Sequence, residues 1–511
     1  MTRPAPATLL AGGAFLAGGI GIVSALTPDI AARSDLVRGV LPPGVPAAAR
    51  VLALAFGIVL IAVSRKLRRG SRRAWQLAVA LVLLSAVAHL AKALDFEEAT
   101  ATLVLLAALW HWRREFTVRG DPATIAPLLR ALVALGALGF TAWLLSLPDR
   151  VADAVGVVAV GVAARALYLW LRPLAQRHRQ SRDDRARAEA IVEEYGHDTL
   201  AFFKLRKDAA WFFSPSGRAF LAYRVSGGTA VIGGDPVGAP DELPGLLAAF
   251  SAYAHANGWR VTALGVSCES LPVYRAAGFK SIYLGDEAIV RPEQFSLEGR
   301  RIRKVRQSVA RLERAGYRVR VARAESLDER SRAEVERVSR AWLARSCERG
   351  FAMAHDALFA PATVLALAEG PDGKLGGFMQ LVPAPASGGW SLSVTRRDRA
   401  TPNGLMEFLI VRVVEWARTN GAAELSLNFA VFGGLMRAEA GWRSLARRAL
   451  LRFDGLFQLE RLYSFSAKFG PEWHARHLCF ESWPGLPSAA LACLRAESLL
   501  TPPGPWVRWS A

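Results

Sequence analysis

Glu407 is the acidic side chain best placed to do chemistry. It lies in the first turn of a helix predicted over Leu405–Thr419, directly after an entry that contains Asn403. A carboxylate in that position can act as a general base or hold an amino group. Alternatively, the carboxylate has no catalytic role and only interacts favourably with the positive end of the helix dipole. Both interpretations of Glu407 stay open.

Asn428 and Asp235 are the other isolated polar candidates. In a strand predicted over Glu424–Phe429, apolar side chains occupy one face and leave Ser426 and Asn428 on the other. An amide there can donate to a developing oxyanion, although a polar residue on a solvated strand face is the commoner case. Asp235 follows Gly234 and precedes a proline, so it is either a site residue or a turn residue.

A strongly basic segment, predicted as a helix over Arg300–Arg323, is the best candidate for binding a polyanion. Apolar residues recur at helical spacing, which leaves the other faces to guanidinium groups. Phosphates of a nucleic acid or of anionic lipid would both fit such a surface, and we favour nucleic acid. The cations are Arg300, Arg301, Arg303, Lys304, Arg306, Arg311, Arg314, Arg318, Arg320 and Arg323.

The whole chain is also basic, with a formal net charge of +20 over 511 residues. This charge points to nucleic acid, anionic lipid or both as partners. The four cysteines are far apart, without a CxxC pair or histidines at metal-ligand spacing, so the sequence predicts neither a disulfide framework nor a zinc site. No nucleotide-binding motif is present either. We therefore expect no metal and no cofactor.

The first third of the chain, residues 1–172, reads as an all-α transmembrane block of about six helices. Arginine and lysine concentrate in residues 65–73 and 113–119, which places these loops, the amino terminus and everything after Arg172 in the cytoplasm. No carboxylate lies deep inside a span, which argues against a coupled transporter. The predicted spans are Ala7–Leu26, Ala47–Ser64, Ala74–Leu94, Ala99–Trp112, Thr124–Leu147 and Ala154–Leu171.

The remainder reads as an α+β region made of two similar halves. Each half has strands, a helix and further strands in a similar order, which suggests an internal duplication. We divide it into a linker with an amphipathic helix at 173–208, a first half at 209–299, the basic helix at 300–323, a second half at 324–485 and a tail at 486–511. The amphipathic helix is predicted over Arg182–Asp208.

Several motifs resemble known families. Leu271-Pro-Val-Tyr-Arg-Ala-Ala-Gly-Phe279 resembles the YxxxGF segment of N-acetyltransferase (GNAT) folds, but no glycine-rich loop for CoA pyrophosphate precedes the Leu405 helix. The segments Ser393–Leu409, Leu425–Phe432 and Tyr463–Trp473 together resemble the phosphatidylglycerol lysyltransferase family, the synthase part of multiple peptide resistance factors. The segment Gly233–Gly238 also resembles that family. The resemblance covers residues 185–485 and implies a tandem acetyltransferase-like fold.

The resemblance implies transfer of an aminoacyl group from aminoacyl-tRNA to phosphatidylglycerol at a bacterial plasma membrane. Such a reaction starts from an activated ester and needs no ATP, CoA or metal. Lys468 and Arg476 match the family's K-F-x-x-x-W-x-x-R pattern around Trp473 and would hold lipid phosphate or the tRNA terminus, against the alternative of surface cations. Arg396 and Asn403 lie in the matched stretch and are further candidates.

The chain departs from the large members of this family, which carry a flippase block or a lysyl-tRNA synthetase. We expect it to use tRNA charged by separate synthetases and to leave lipid flipping to another protein. Two alternatives are a peptidoglycan-bridge type of aminoacyl-tRNA transferase and a non-enzymatic membrane transporter or scaffold. The sequence does not identify the amino acid transferred or the exact lipid acceptor, and it leaves a homo-oligomer open.

Overall fold

The computed structural model describes residues 6–27, 45–93, 95–118, 120, 124–144, 149–171, 180–343, 351–352, 354–431 and 459–500. These residues form two compact units. The amino-terminal unit comprises Met1–Gln176 with Tyr253–Trp259, and the carboxyl-terminal unit comprises Arg177–Ala252 with Arg260–Ala511. The division falls close to the change in composition near Arg172.

Helices occupy all six segments that the sequence predicts to be apolar spans. Three of them, at Pro6–Leu26, Ala48–Leu67 and Arg72–Ala91, are long and apolar enough to cross a membrane. The other three are shorter or less apolar, so the count of six spans is only partly visible. The helices are α1 (Pro6–Leu26), α2 (Val45–Leu67), α3 (Arg72–Ala93), α4 (Phe96–His111), α5 (Ile125–Leu144) and α6 (Asp149–Trp170).

Two glycines allow α1 and α2 to approach closely. A Cβ atom on Gly18 would lie 2.6 Å from the carbonyl oxygen of Gly57, and one on Gly57 would lie 2.7 Å from that of Gly18. Membrane helices associate through close packing of this kind, because lipid tails provide no hydrophobic driving force between them. Any larger residue at either position would push the two helices apart.

The carboxyl-terminal unit is built on one twelve-stranded sheet of order β1-β2-β3-β5-β12-β6-β11-β10-β9-β8-β7, with β4 paired to β2. The predicted α+β fold of this region is confirmed. The strands are β1 (Ala210–Phe213), β2 (Ala219–Ser226), β3 (Thr229–Gly233), β4 (Val237–Gly238), β5 (Arg260–Ser267), β6 (Lys280–Val290), β7 (Arg318–Arg323), β8 (Val364–Glu369), β9 (Leu375–Ala384), β10 (Gly389–Arg397), β11 (Leu425–Val431) and β12 (Glu472–Phe480).

The two halves share their central strands. β12, the last strand among the described residues, lies antiparallel between β5 and β6 of the first half, while β6 also pairs with β11 of the second half. Each half has one parallel pair, β3 with β5 and β10 with β11. Because β12 completes the sheet of the first half, the two halves form one folding unit rather than two separable domains.

Eight helices of the described part cover this sheet. They are α7 (Arg182–Tyr195), α8 (Leu243–Ala256), α9 (Leu271–Ala276), α10 (Arg303–Arg314), α11 (Glu329–Leu343), α12 (Leu405–Thr419), α13 (Leu459–Ala467) and α14 (Leu486–Ala496). Leu405, Phe408 and Leu409 of α12 pack with Val305 and Leu312 of α10 in the core of the second half. The predicted bounds of α12 are confirmed.

The predicted basic helix over Arg300–Arg323 is too long. The helix covers only Arg303–Arg314, and β7 begins at Arg318 after a turn at Gly316, whose φ is +80°. Arginines at 318 and 320 alternate with half-buried valines at 319 and 321, which is the period of a strand with one solvated face. The outward arginines also suit β7 as an edge strand of the sheet.

Two other predictions at the ends of this region also differ from the structure. The amphipathic helix ends at Tyr195 rather than Asp208, since the next apolar run forms a buried turn at Ala201–Leu205. The predicted tail at 486–511 begins with α14, which buries Ala489 and Cys493 against the first half. These segments fold through contacts with distant strands, which their own periodicity does not reveal.

Candidate functional site

Glu407 and Lys468 form an ion pair. The Lys468 Nζ lies 2.7 Å from the Glu407 Oε1, with 37% of the lysine side chain and 15% of the glutamate side chain exposed. Glu407 occupies the first turn of α12, and Lys468 follows the end of α13, where its ammonium also lies 5.0 Å from the centre of the Phe465 ring. The fold therefore brings together two predicted residues that are 61 positions apart.

A cavity of about 280 Å³ lies beside Lys468, at the end of the sheet where β6 finishes and β12 begins. Arg301 and Lys468 supply cationic groups to its wall, and Phe295 and Phe469 supply apolar surface. Arg291 in the same wall is already paired with Glu424 and Glu472, at 2.9 and 3.0 Å. The cavity thus joins a predicted polyanion-binding residue, Arg301, to the Glu407–Lys468 pair.

The six cations predicted to contact nucleic acid all lie on the surface. Val305, Val309 and Leu312 of α10 face the core, so the charged side chains are left on the solvated side of the helix. Arg311 donates from Nη1 to the Asn403 carbonyl oxygen at 3.3 Å, which links this surface to the entry of α12. We call the following exposed residues the basic surface: Arg300, Arg301, Arg303, Lys304, Arg306 and Arg311.

Gly404 makes this junction possible. It has a φ of +97° and caps α12, and a Cβ atom there would lie 2.7 Å from Ser308 of α10. A larger residue would be strained in the backbone and would clash with the neighbouring helix. The glycine of the entry therefore holds α10 against the first turn of α12, where Glu407 lies.

Arg476 lies in a buried cluster of charges at the centre of the sheet. Its Nε donates to the Glu287 Oε2 at 2.9 Å, and its Nη2 lies 2.5 Å from the Asp198 Oδ1. Burial disfavours the guanidinium charge, but Asp198 and Glu287 outweigh it and raise the pKa of Arg476 above its ordinary value. The prediction that Arg476 holds a phosphate is corrected, because two carboxylates enclose its guanidinium.

Glu287 connects four segments of the chain. Besides Arg476 of β12, its carboxylate accepts hydrogen bonds from Thr199 and from the Ser426 hydroxyl of β11, the latter at 2.5 Å. Glu287 itself lies on β6 and is 1% exposed. Its ionised form therefore has a cation and two hydroxyl donors around it, which offsets the cost of burying a charge.

Asp235 and Lys204 belong to the same buried region. The Asp235 Oδ1 accepts a hydrogen bond from the backbone N–H of Ser267 at 3.0 Å. Burial and the charge of Asp198 raise the pKa of the Asp235 carboxyl, and burial lowers the pKa of Lys204. Asp235 is therefore part of a charge cluster as well as of the Gly234 turn, and Lys204 completes the cluster.

Asn428 marks the point where β10 and β11 separate. The two parallel strands pair only at Trp390 with Leu425 and at Ser391 with Ser426. Asn428 then adopts a φ of +73°, and its Nδ2 donates to the Leu392 carbonyl oxygen at 2.8 Å across the gap. Positive φ in a residue other than glycine is uncommon and occurs often at functional positions.

Asn428 is also tied to the charge cluster. Its backbone N–H donates to the Ser426 hydroxyl at 3.1 Å, and that hydroxyl in turn donates to Glu287. Ser426 is fully buried, so the polar face predicted for this strand points into the protein rather than to solvent. The cluster and the opening between the two strands are thus parts of one hydrogen-bonded network.

Two predicted residues remain, and both pack against side chains of their own surroundings. Arg396 is 3% exposed and donates to the Ser339 hydroxyl, and Trp473 stacks on Tyr463 with ring centres 4.7 Å apart. Within the described residues, no three side chains of histidine, cysteine, aspartate or glutamate form a group that could hold a metal ion.

Sequence reasoning missed Glu287, Asp198, Thr199 and Lys204. One signal was available for the first of these: β6 carries Asp286 and Glu287 inside an otherwise apolar run. Buried acids in a central strand need partners, so such a pair predicts a polar network. No comparable local signal identifies Asp198 or Lys204, because their partners come from distant strands.

Comparison with known proteins supports the resemblance found in the motifs. Residues 189–480 match the model of a family described as phosphatidylglycerol lysyltransferase, C-terminal. The lysylphosphatidylglycerol biosynthesis bifunctional protein LysX of Rhodococcus jostii is 36% identical over 334 residues, which cover 63% of this chain and 30% of that protein. The protein of the same name in Mycolicibacterium gilvum is 32% identical over 505 residues, covering 88% of this chain and 46% of its own length.

Two solved structures resemble the carboxyl-terminal unit. L-PGS from Bacillus licheniformis is 23% identical with a TM-score of 0.56, and the match covers 64% of this chain and all of that one. The C-terminal domain of a lysylphosphatidylglycerol synthetase homologue from Agrobacterium fabrum is 25% identical with a TM-score of 0.52, covering 61% of this chain and 95% of that one. The chain spans less than half the length of the curated relatives it matches.

Proposed function

The chain belongs to the phosphatidylglycerol lysyltransferase family, and from this premise we propose that it transfers an aminoacyl group from aminoacyl-tRNA to the glycerol hydroxyl of phosphatidylglycerol. The observation that carries the proposal is the family match over residues 189–480. Lysine is the first donor to test, because the matched relatives are named for lysylphosphatidylglycerol. The product would carry an added positive charge and would weaken the attraction of cationic peptides to the membrane.

The reaction is a transesterification. The lipid hydroxyl oxygen attacks the carbonyl carbon of the aminoacyl ester, a tetrahedral oxyanion forms, and the bond to the ribose oxygen of the tRNA breaks. The hydroxyl proton is taken up during attack, and the ribose oxygen receives a proton as it leaves. The protein's part in this reaction is to orient the two substrates, accept that proton and stabilise the oxyanion.

We assign the proton transfer, or alternatively the binding of the donor's amino group, to Glu407. Its ion pair with Lys468 supports the assignment, since the ammonium holds the carboxylate in a defined, partly buried position. The ammonium of Lys468 in turn borders the cavity that Arg301 lines, where a substrate phosphate would find two cations. Both roles of Glu407 require it to exchange Lys468 for a substrate group.

Asn428 is the residue that we assign to the oxyanion. Its position at the gap between β10 and β11, fixed by bonds to Leu392 and Ser426, supports this role. A donor that is held rigidly by the fold needs little rearrangement when charge develops on the substrate, which is the condition for effective oxyanion stabilisation. Arg476 and Glu287 would then act as positioning residues, because they hold Ser426 and not the substrate.

We assign tRNA binding to the basic surface. Its cations lie on one helix and its approach, and no carboxylate within salt-bridge distance neutralises them in the described part of the chain. Arg301 and Arg311 connect the surface to the cavity and to the entry of α12. A tRNA acceptor end lying along α10 would therefore reach the neighbourhood of Glu407.

Charge reversal at Arg301, Lys304 and Arg311 should weaken tRNA binding and make it less sensitive to salt. Three lost phosphate contacts would reduce the slope of log affinity against log salt by about 3. Filter binding of tRNA at several salt concentrations measures this slope. A matched control with the same charge change reverses the exposed Arg330, Arg340 and Lys374.

The control variant should keep the slope of the wild type. Equal loss of affinity in both triple variants would mean that only net charge matters and would contradict the assignment to the basic surface. Unchanged tRNA binding in the first variant, with loss of binding to anionic vesicles, would instead assign the surface to lipid.

We also propose that the protein is a multi-pass protein of the bacterial plasma membrane with its carboxyl terminus in the cytoplasm. The basic bias of residues 65–73 and the three long apolar helices support this orientation. Charged tRNA is a cytoplasmic substrate, so the catalytic part must face that side. The test is a reporter that works only outside the cytoplasm, fused after Ala511. Activity of this reporter would refute the proposed orientation.

The reaction itself can be tested with membranes that contain the full chain. Labelled lysyl-tRNA and phosphatidylglycerol should yield a labelled lipid without ATP or CoA, and digestion of the donor with RNase should abolish it. Thin-layer chromatography and mass spectrometry identify the product and its amino acid. Labelling that requires CoA and survives RNase would overturn the proposed function.

A further inference from the structure

Among the described residues of the carboxyl-terminal unit, four large apolar side chains are exposed, and three of them are close in sequence. In its described residues they are Trp342, Trp483, Leu491 and Leu500, with 43%, 58%, 41% and 45% of each exposed. Three of these four belong to the last described stretch, on or beside α14. Scattered apolar side chains are normal on a surface, whereas a concentration of them usually marks a contact.

Three exposed residues of α14 recur at a spacing of four, and an exposed tryptophan lies on the short turn Trp483–Gly485 that precedes them. Trp483, Pro487, Leu491 and Arg495 are all exposed, and we call them the Trp483 stripe. A spacing of four places side chains above one another on a helix. The opposite side of α14 is buried: Ala489, Ala492, Cys493 and Ala496 pack against the first half of the sheet. The helix is therefore held firmly, with an apolar stripe left outward.

Cations surround the stripe. Arg495 ends it, Arg260 donates from Nη1 to the Ser488 hydroxyl at 2.5 Å on the next turn, and Lys280 is exposed opposite Phe480 in the sheet register. Glu481, which directly follows Phe480, accepts a hydrogen bond from the Val261 backbone N–H at 2.9 Å. An exposed tryptophan within a basic rim is the composition of a surface that lies in the headgroup region of an anionic bilayer.

We propose that the Trp483 stripe rests in the interface of an anionic bilayer and holds the carboxyl-terminal unit against the membrane. A bilayer is the occupant that the charges favour, since the rim is cationic and the bilayer surface is anionic. The chain also has three helices long and apolar enough to cross a membrane, so a bilayer is an occupant that the same chain could reach. Trp483 inserts its ring between headgroups while Arg260 and Arg495 contact phosphates.

The basic surface lies at the other end of β12. Arg301 and Lys468 line a cavity with Glu472, where β12 begins, whereas Trp483 follows Phe480, where it ends. Nine residues of strand at about 3.3 Å each separate the two ends by roughly 30 Å. The bilayer and a polyanion on the basic surface would therefore not compete for the same part of the protein.

The depth of the stripe can be measured directly, without any assumption about the reaction. The full chain, with Cys268 and Cys347 replaced by serine, is labelled at Leu491→Cys with an environment-sensitive fluorophore and placed in nanodiscs containing phosphatidylglycerol. Spin-labelled lipids should quench this probe. The matched control is Ala333→Cys, on an exposed position of α11. Quenching no stronger at 491 than at 333 would overturn the proposal.

A second measurement rests on the proposed function, and it distinguishes failure of the membrane contact from failure of the proposed function. The variant Trp483→Ser/Leu491→Ser should lose on the order of tenfold in transfer to phosphatidylglycerol in a bilayer, because apolar contact with the lipid is removed. It should keep the wild-type rate with a short-chain phosphatidylglycerol dissolved as monomers. Trp342→Ser should change neither rate.

The outcomes of the second measurement are distinct. If the double variant loses transfer rate equally with the bilayer and the monomeric acceptor, the substitutions have damaged the fold or the catalytic site. That result would contradict a role in membrane contact. A wild type inactive with both acceptors would refute the proposed function, while the quenching result would still decide whether the stripe lies in the bilayer.

Discussion

Glu407→Gln should lower the rate of aminoacyl transfer by about 10²–10⁴-fold, the usual contribution of a positioned general base. The amide keeps the size of the side chain and can still accept a hydrogen bond from Lys468, but it cannot take up a proton. Single-turnover assays with aminoacyl-tRNA and phosphatidylglycerol measure the effect. The affinity for tRNA should not change, because the basic surface is intact.

The same variant distinguishes the two roles assigned to Glu407. Loss of a base lowers the rate of the chemical step at saturating donor, whereas loss of an anchor for the amino group mainly raises the donor concentration needed for half-maximal rate. Glu415→Gln is a matched control on the same helix, since Glu415 pairs with Arg412 on the surface. Wild-type rates for Glu407→Gln would remove Glu407 from the mechanism and leave the family assignment intact.

Arg476→Met should destabilise the protein by about 3–5 kcal/mol, the typical cost of removing one partner of a buried ion pair. Glu287 and Asp198 would keep their burial and lose their shared cation. Methionine retains much of the aliphatic volume of arginine. The loss of stability is therefore caused by removal of the charge rather than by a cavity. Chemical unfolding of the detergent-solubilised full chain, followed by tryptophan fluorescence, gives the change in the free energy of unfolding.

Two further variants make this prediction specific. Arg320→Met breaks an exposed pair with Glu369 and should cost at most about 1 kcal/mol. Arg476→Met/Glu287→Leu should be more stable than Arg476→Met alone, because the unpaired carboxylate is gone. If Arg476→Met lowers the free energy of unfolding no more than Arg320→Met does, the charge cluster does not stabilise the junction between the two halves.

Local sequence patterns were sufficient to predict much of the secondary structure. The apolar spans follow from composition and length, since a bilayer requires about 20 apolar residues per helix. The bounds of α12 follow from a period of 3.6 and a glycine-containing entry, and the strands of both halves follow from short apolar runs between turns. Glu407 was identified for the same reason, because its place in the first turn of α12 is a local property.

The fold decided which of these residues act together. No local pattern predicts that Glu407 meets Lys468 61 residues later, or that β12 inserts between β5 and β6. Pairing in a sheet depends on which strands remain available once the others have formed, and this is set by the whole chain. The prediction for β7 was wrong because ten cations in one segment masked a change from helical to alternating period.

Arg476 illustrates the physical reason most clearly. In the sequence it is an arginine three residues after a tryptophan and two after a histidine, a description that fits a surface cation, and a lone arginine is rarely buried. Burial becomes favourable only because Glu287 and Asp198 arrive from two other segments and offset the loss of hydration. The sequence thus determined the elements and the chemical types available, while the energy of each polar side chain, and so its role, depended on partners that only the tertiary structure brings into contact.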